Sequence, residues 1–141
     1  MTAEPKPVVL VVDDTPLNLQ VATGILRADY QALGAPGGQK ALDILAKRPD
    51  VNLILLDIMM PDMDGYETCR QLKANPATAH IPVIFLSALS GAEDEAAGFA
   101  AGGVDFINKP FRPETLLARV SIHLKVQALE RLVQQLRAQA A

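Results

Sequence analysis

Apolar and polar positions along this chain fall into two alternating regimes. The run Val8 to Val12 is unbroken and largely β-branched, and Asp13-Asp14-Thr15-Pro16 stops it. A short apolar run without alternation suits a strand buried on both faces. Leu17, Val21, Ile25 and Leu26 then recur at helical spacing, with Thr15 or Asp14 placed to cap the helix and Pro16 in its first turn. A weaker strand over Tyr30 to Leu33 ends at Gly34-Ala35-Pro36-Gly37-Gly38, and a helix with Ala41, Leu42, Ile44 and Leu45 inward runs to Arg48-Pro49. Leu53 to Leu56 predicts a second buried strand ending in Asp57, followed by a loop over Met59 to Gly65 and a helix over Tyr66 to Ala74. Pro82 to Leu86 predicts a strand ending in Ser87, and Gly91 to Ala101 a small-residue helix with Glu93, Asp94 and Glu95 near its positive end. Val104 to Ile107 predicts a last strand before Asn108-Lys109-Pro110, and from Pro113 the chain is helical to near its end.

Five strands alternating with five helices build a doubly wound parallel sheet with helices on both faces. Such sheets place their sites beyond the carboxyl ends of the strands. The residues at those ends are Asp13, Asp14, Asp57, Ser87 and Lys109. Three carboxylates at one sheet edge repel one another without a cation, and an oxygen-only donor set favours Mg²⁺. Asp57, alone at the end of an apolar strand, is the candidate nucleophile for a phosphoryl group. Phosphoryl transfer asks the protein for positioning and charge neutralisation. Lys109 offers a point charge and Ser87 a hydroxyl donor.

Composition narrows the partners. The 141 residues carry a formal net charge of −3, which argues against a nucleic-acid clamp or an anionic-membrane binder. A single cysteine excludes an internal disulfide and a CxxC zinc site. No apolar run is long enough to span a bilayer, and residues 1 to 7 lack the order of a signal peptide, so a cytoplasmic setting is expected. Other readings fit less well. A calcium loop with Gly65 at its sixth place would put Met60 first and Gln71 twelfth, where carboxylates belong. Gln39 separates Gly38 from Lys40, so no GKS/T phosphate loop is present. His80 and His123 have no partner at ligand spacing, and Cys69 reads as a small structural side chain. A hydrolase with an aspartyl-phosphate intermediate would want a second Asp at position 59, where Met59 cannot transfer protons. A flavin carrier would be repelled by Asp13-Asp14. An interaction module that is never phosphorylated is the remaining alternative.

Four segments, Val11-Val12-Asp13-Asp14, Leu55 to Gly65, Phe85-Leu86-Ser87-Ala88 and Asp105 to Phe111, together resemble the receiver domain of two-component response regulators over roughly Val8 to Leu124. The resemblance implies a flavodoxin-like (βα)5 fold, with Asp57 as phosphoacceptor. It implies Asp13, Asp14, Asp57 and the Met59 carbonyl around Mg²⁺, and Ser87 and Lys109 on the phosphoryl group. It also implies a cis Lys109–Pro110 bond and Phe106 as an aromatic switch partner of Ser87. The phosphodonor would be a histidine kinase or histidine phosphotransfer protein. The domain would work as a signalling switch or relay intermediate, catalysing nothing beyond its own phosphorylation and dephosphorylation.

Residues 1–7 are expected to be disordered and residues 125–141 to form a helical extension. Ile122, Val126, Leu129, Val133, Leu136 and Ala140 are spaced 4, 3, 4, 3, 4 along it. Val126 and Val133 at a with Leu129 and Leu136 at d favour a two-stranded parallel coil, giving a weak homodimer. The extension resembles linkers that lead to an output domain, and the chain is expected to be a piece of a longer regulator.

Overall fold

Val8–Val12 forms β1, and its alternating side chains divide the core in two. Val8, Leu10 and Val12 face one layer, Val9 and Val11 the other. The computed structural model describes residues 5–88 and 91–140. The remaining elements are α1 (Pro16–Leu26), β2 (Gln31–Ala35), α2 (Gly38–Lys47), β3 (Val51–Asp57), α3 (Gly65–Ala74), β4 (Val83–Ser87), α4 (Ala92–Ala101), β5 (Asp105–Asn108) and α5 (Pro113–Ala140). All strand pairs are parallel, in the order β2-β1-β3-β4-β5. Residues of α2, α3 and α4 pack in the layer of Leu10, and residues of α1 and α5 in the layer of Val9. This is the flavodoxin-like doubly wound sheet.

Three details differ from the sequence expectation. β2 continues through Gly34 and Ala35, because both pair with Val11 and Val12 of β1. Long-range pairing here outweighs the poor strand propensity of glycine. On α1, Leu17 and Val21 face solvent, whereas Ala22 and Leu26 are buried and Leu19 and Ile25 pack against them. The helix is apolar nearly all round at its start, so spacing alone could not choose its inner face. No side chain caps α1: Thr15 occupies the cap position without such a bond, and Asp13 Oδ1 accepts the Thr15 N–H at 2.9 Å.

α5 runs for 28 residues, about 42 Å at 1.5 Å per residue. Its buried residues are Leu116, Val120 and Gln127, and residues 128–140 are all exposed. Ile122, Val126, Leu129, Val133 and Leu136 are exposed apolar side chains. No described helix is long and apolar enough to cross a membrane. The expected disorder of residues 1–4 lies outside the described residues.

Candidate functional site

Strand register assembles the site. Val12 pairs with Leu56, so Asp13 follows β1 where Asp57 closes β3. Asp57 pairs with Leu86, and Ser87 with Asn108, so Ser87 and Lys109 come next along the same edge. The Lys109 amide also donates to the Ser87 carbonyl at 2.8 Å.

Carboxylate oxygens of Asp13, Asp14 and Asp57 lie within 4.8 Å of one another. Asp13 and Asp57 are buried and Asp14 is exposed. Lys109 Nζ stands 2.6 Å from Asp13 Oδ2 and 3.1 Å from Asp57 Oδ1. Burial pushes the Asp57 carboxyl up to about 6, Lys109 opposes that rise, and Asp13 and Asp14 add to it. Burial works against the charge on Lys109, but its bonds to Asp13 and Asp57 prevail and raise its pKa. Asp57 thus remains ionisable near neutrality inside a nearly closed environment. Three carboxylates with exclusively oxygen donors suit a hard divalent ion, and exposed Asp14 leaves such an ion open to water. The donor set fits Mg²⁺.

The loop after Asp57 is closed by a Gly65 N–H donating to the Ile58 carbonyl at 2.8 Å. A Cβ at Gly65 would collide with the Asp57 carbonyl oxygen, so only glycine permits this approach behind the acceptor. Asp64 then caps α3, accepting the Glu67 N–H at 2.8 Å. Within the loop Met60 is buried, while Met59 is 64% exposed. Leu89, apolar like Met59 and with no group that could orient a water, lies outside the described residues. Ser87 is buried at the end of β4. The Lys109–Pro110 bond is cis.

Phe106 packs against Phe85, with centroids 5.4 Å apart, and edge-on against Phe99 at 5.4 Å. Its ring lies directly under Gly98 of α4, where a Cβ would collide with it.

The sequence matches the response regulator receiver domain family over residues 9–121. This chain belongs to that family. The receiver is 47% identical over 117 residues to a Vibrio cholerae protein named "Probable cyclic di-GMP phosphodiesterase", covering 83% of this chain and 26% of that protein. It is 44% identical over 114 residues to response regulator PleD of Caulobacter vibrioides, covering 79% and 25%. The chain therefore spans about a quarter of the length of these curated relatives. Among solved structures, Vibrio cholerae chemotaxis protein CheY4 superimposes with a TM-score of 0.79 at 30% identity, covering 82% of this chain and 97% of that one.

Several contacts of the receiver carry no motif. Asp105 is held by Arg119 at 2.8 Å and by His123 Nε2 at 2.9 Å, so His123 has a charged partner on β5. Burial raises the Asp105 pKa, but His123, the Phe106 N–H and Arg119 outweigh it and hold the carboxyl below its usual range. The Tyr66 hydroxyl donates to the Asp94 carbonyl of α4 at 3.1 Å. Exposed Leu17 and Val21 of α1 line a groove with Lys109, Pro110 and Phe111 beside the acceptor. None of these pairs is close in sequence, so no local pattern announces them.

Proposed function

We propose that this receiver is a phosphorylation-controlled switch whose acceptor is Asp57. The observation that carries the reading is the convergence of Lys109 and the carboxylates of Asp13 and Asp14 on Asp57 at one sheet edge. In the reaction an Asp57 carboxylate oxygen forms a bond to phosphorus while the phosphorus–nitrogen bond of a phosphohistidine breaks, and the imidazole leaves. Asp13, Asp14, Asp57 and the Met59 carbonyl hold Mg²⁺. When bound, the ion neutralises part of the phosphoryl charge. Lys109 supplies a further positive charge, and the Ser87 hydroxyl donates a charge-assisted hydrogen bond.

The donor is a histidine kinase or a histidine phosphotransfer protein, and the exposed Leu17–Val21 face beside Lys109 supports docking of an apolar helix there. Apart from its own phosphorylation and dephosphorylation the domain turns over no substrate. Drawing Ser87 toward the phosphoryl group frees space that Phe106 follows, which alters the face of α4, β5 and α5. Phe106 has no hydroxyl to satisfy, so both ring positions are populated before phosphorylation.

The signal passes to an output domain or partner through residues 125–141, an extension of the receiver unit 8–124. Its seam of Val126, Leu129, Val133 and Leu136 supports a weak parallel homodimer, with Lys125 at g opposite Glu130 at e of the second copy. The cytoplasm is the setting, with no direct contact to nucleic acid or membrane. Treatment with a small acyl phosphate and Mg²⁺ should add one phosphoryl group to the parent and none to Asp57→Asn, as read by intact mass. Equal gain in both proteins would overturn the assignment.

A further inference from the structure

The buried face of α5 ends at one polar contact. Gln127, 7% exposed, is the last buried residue of the helix. Its Nε2 donates to the Asn52 carbonyl at 3.0 Å. The Asn52 side chain in turn accepts the Val8 N–H at 2.8 Å. Three elements, β1, β3 and α5, are therefore tied at the amino-terminal edge of the sheet, opposite the acceptor.

The local sequence makes Asn52 available for this. The β1–β3 register slips there: Val8 faces Val51 and Val9 faces Leu53, which leaves Asn52 as the extra residue of β3. An extra residue interrupts the ladder and re-aims its backbone and side chain. Asn52 Oδ1 then satisfies an amide of β1, and its carbonyl faces α5. A buried glutamine is costly unless its amide is bonded. An apolar residue would fill the same place without demanding a direction.

We propose that Asn52 and Gln127 form the joint that sets the direction in which the end of α5 leaves the domain, with Gln127 as a positioning residue. The joint also sets the rotation of the helix. At about 100° per residue, Leu129, Val133 and Leu136 lie roughly 180–240° around the helix from Gln127. Holding Gln127 inward therefore turns the seam away from the domain, where a second copy can meet it. This deepens the dimer reading above, but neither phosphorylation nor dimerisation is needed to test it.

The test is a distance measurement between spin labels on the full chain. Labels are placed at Lys47→Cys and Gln135→Cys in a Cys69→Ala background, diluted with unlabelled protein so that each pair reports one chain. With Gln127 present a single narrow distance is expected. Gln127→Leu should replace it with a broad distribution, and Gln127→Lys, which restores a donor, should recover the narrow one. An unchanged distribution in Gln127→Leu would overturn the joint. So would equal broadening in the leucine and lysine variants, because bulk rather than the donated bond would then set the direction. A second measurement uses the unmutated chain and so does not depend on any variant folding. The Gln127 side-chain amide protons should exchange with solvent on the order of tenfold more slowly than those of exposed Gln20 and Gln135. Equal rates would overturn the proposal. The acyl-phosphate labelling of Asp57 fails or succeeds separately, so loss of one reading is distinguishable from loss of the other.

Discussion

Lys109 Nζ and Asp57 Oδ1 stand 3.1 Å apart, yet the Asp57 carboxyl is still pushed up to about 6. Burial and the neighbouring acids together outweigh the one cation. The folded-state value is above the unfolded value, so the stability linked to this group is fully present below about pH 4 and lost as pH rises through about 6. Urea unfolding without divalent ions should show the parent losing on the order of 1 to 3 kcal/mol between pH 4 and pH 7.5 relative to Asp57→Asn. Parallel pH profiles for the two proteins would contradict this.

The contact of Phe106 with Gly98 leaves no room for a methyl group. Gly98→Ala should destabilise the receiver by about 1–3 kcal/mol through overpacking. Phe106→Ala opens space for the added methyl, so the two changes should not add. The check is a double-mutant cycle by denaturant unfolding, and additive costs would mean that the ring does not lie where it is described.

The sheet and its acidic edge are legible in the sequence because strands buried on both faces are continuous apolar runs, and each run stops at a residue with chemistry. Asp13, Asp57, Ser87 and Lys109 are found that way. The inner face of α1 is not legible, since Leu17 and Val21 are as apolar as Ala22 and Leu26 and only packing separates them. The ties from Gln127 to Asn52 and from His123 to Asp105 span 75 and 18 residues. Such ties depend on where the elements meet, which no local spacing records. The role of Gly65 is half legible: the residue belongs to the acceptor-loop motif, but the close approach that requires it appears only in three dimensions.

Met59, two residues beyond the acceptor and mostly exposed, can neither donate nor accept a proton. Hydrolysis of an aspartyl phosphate requires a water held in line with it. The phosphorylated state should therefore persist, and Met59→Asn or Met59→Glu should shorten its lifetime severalfold. Loss of phosphate is followed by intact mass over time, and unchanged lifetimes in both variants would remove the basis of this expectation.

The two seam leucines, Leu129 and Leu136, are exposed on the stretch of α5 beyond its last buried residue. The exposed ion pair Lys125–Glu130 would contribute only about 0–1 kcal/mol, so the apolar side chains must hold the second copy. Sedimentation should show a monomer–dimer equilibrium that shifts on phosphorylation and disappears in the Leu129→Asp/Leu136→Asp variant. A dimer unaffected by those charges would exclude the seam.

The central claim, that Asp57 carries the phosphoryl group, is tested most directly by chemical trapping. Borohydride reduces an aspartyl phosphate to homoserine, releasing phosphate and marking the acceptor permanently. After acyl-phosphate treatment with Mg²⁺ and reduction, peptide mass mapping should place homoserine at position 57 and leave positions 13 and 14 as aspartate. Homoserine at position 13 or 14, or phosphate retained on Ser87 with position 57 unchanged, would contradict the account.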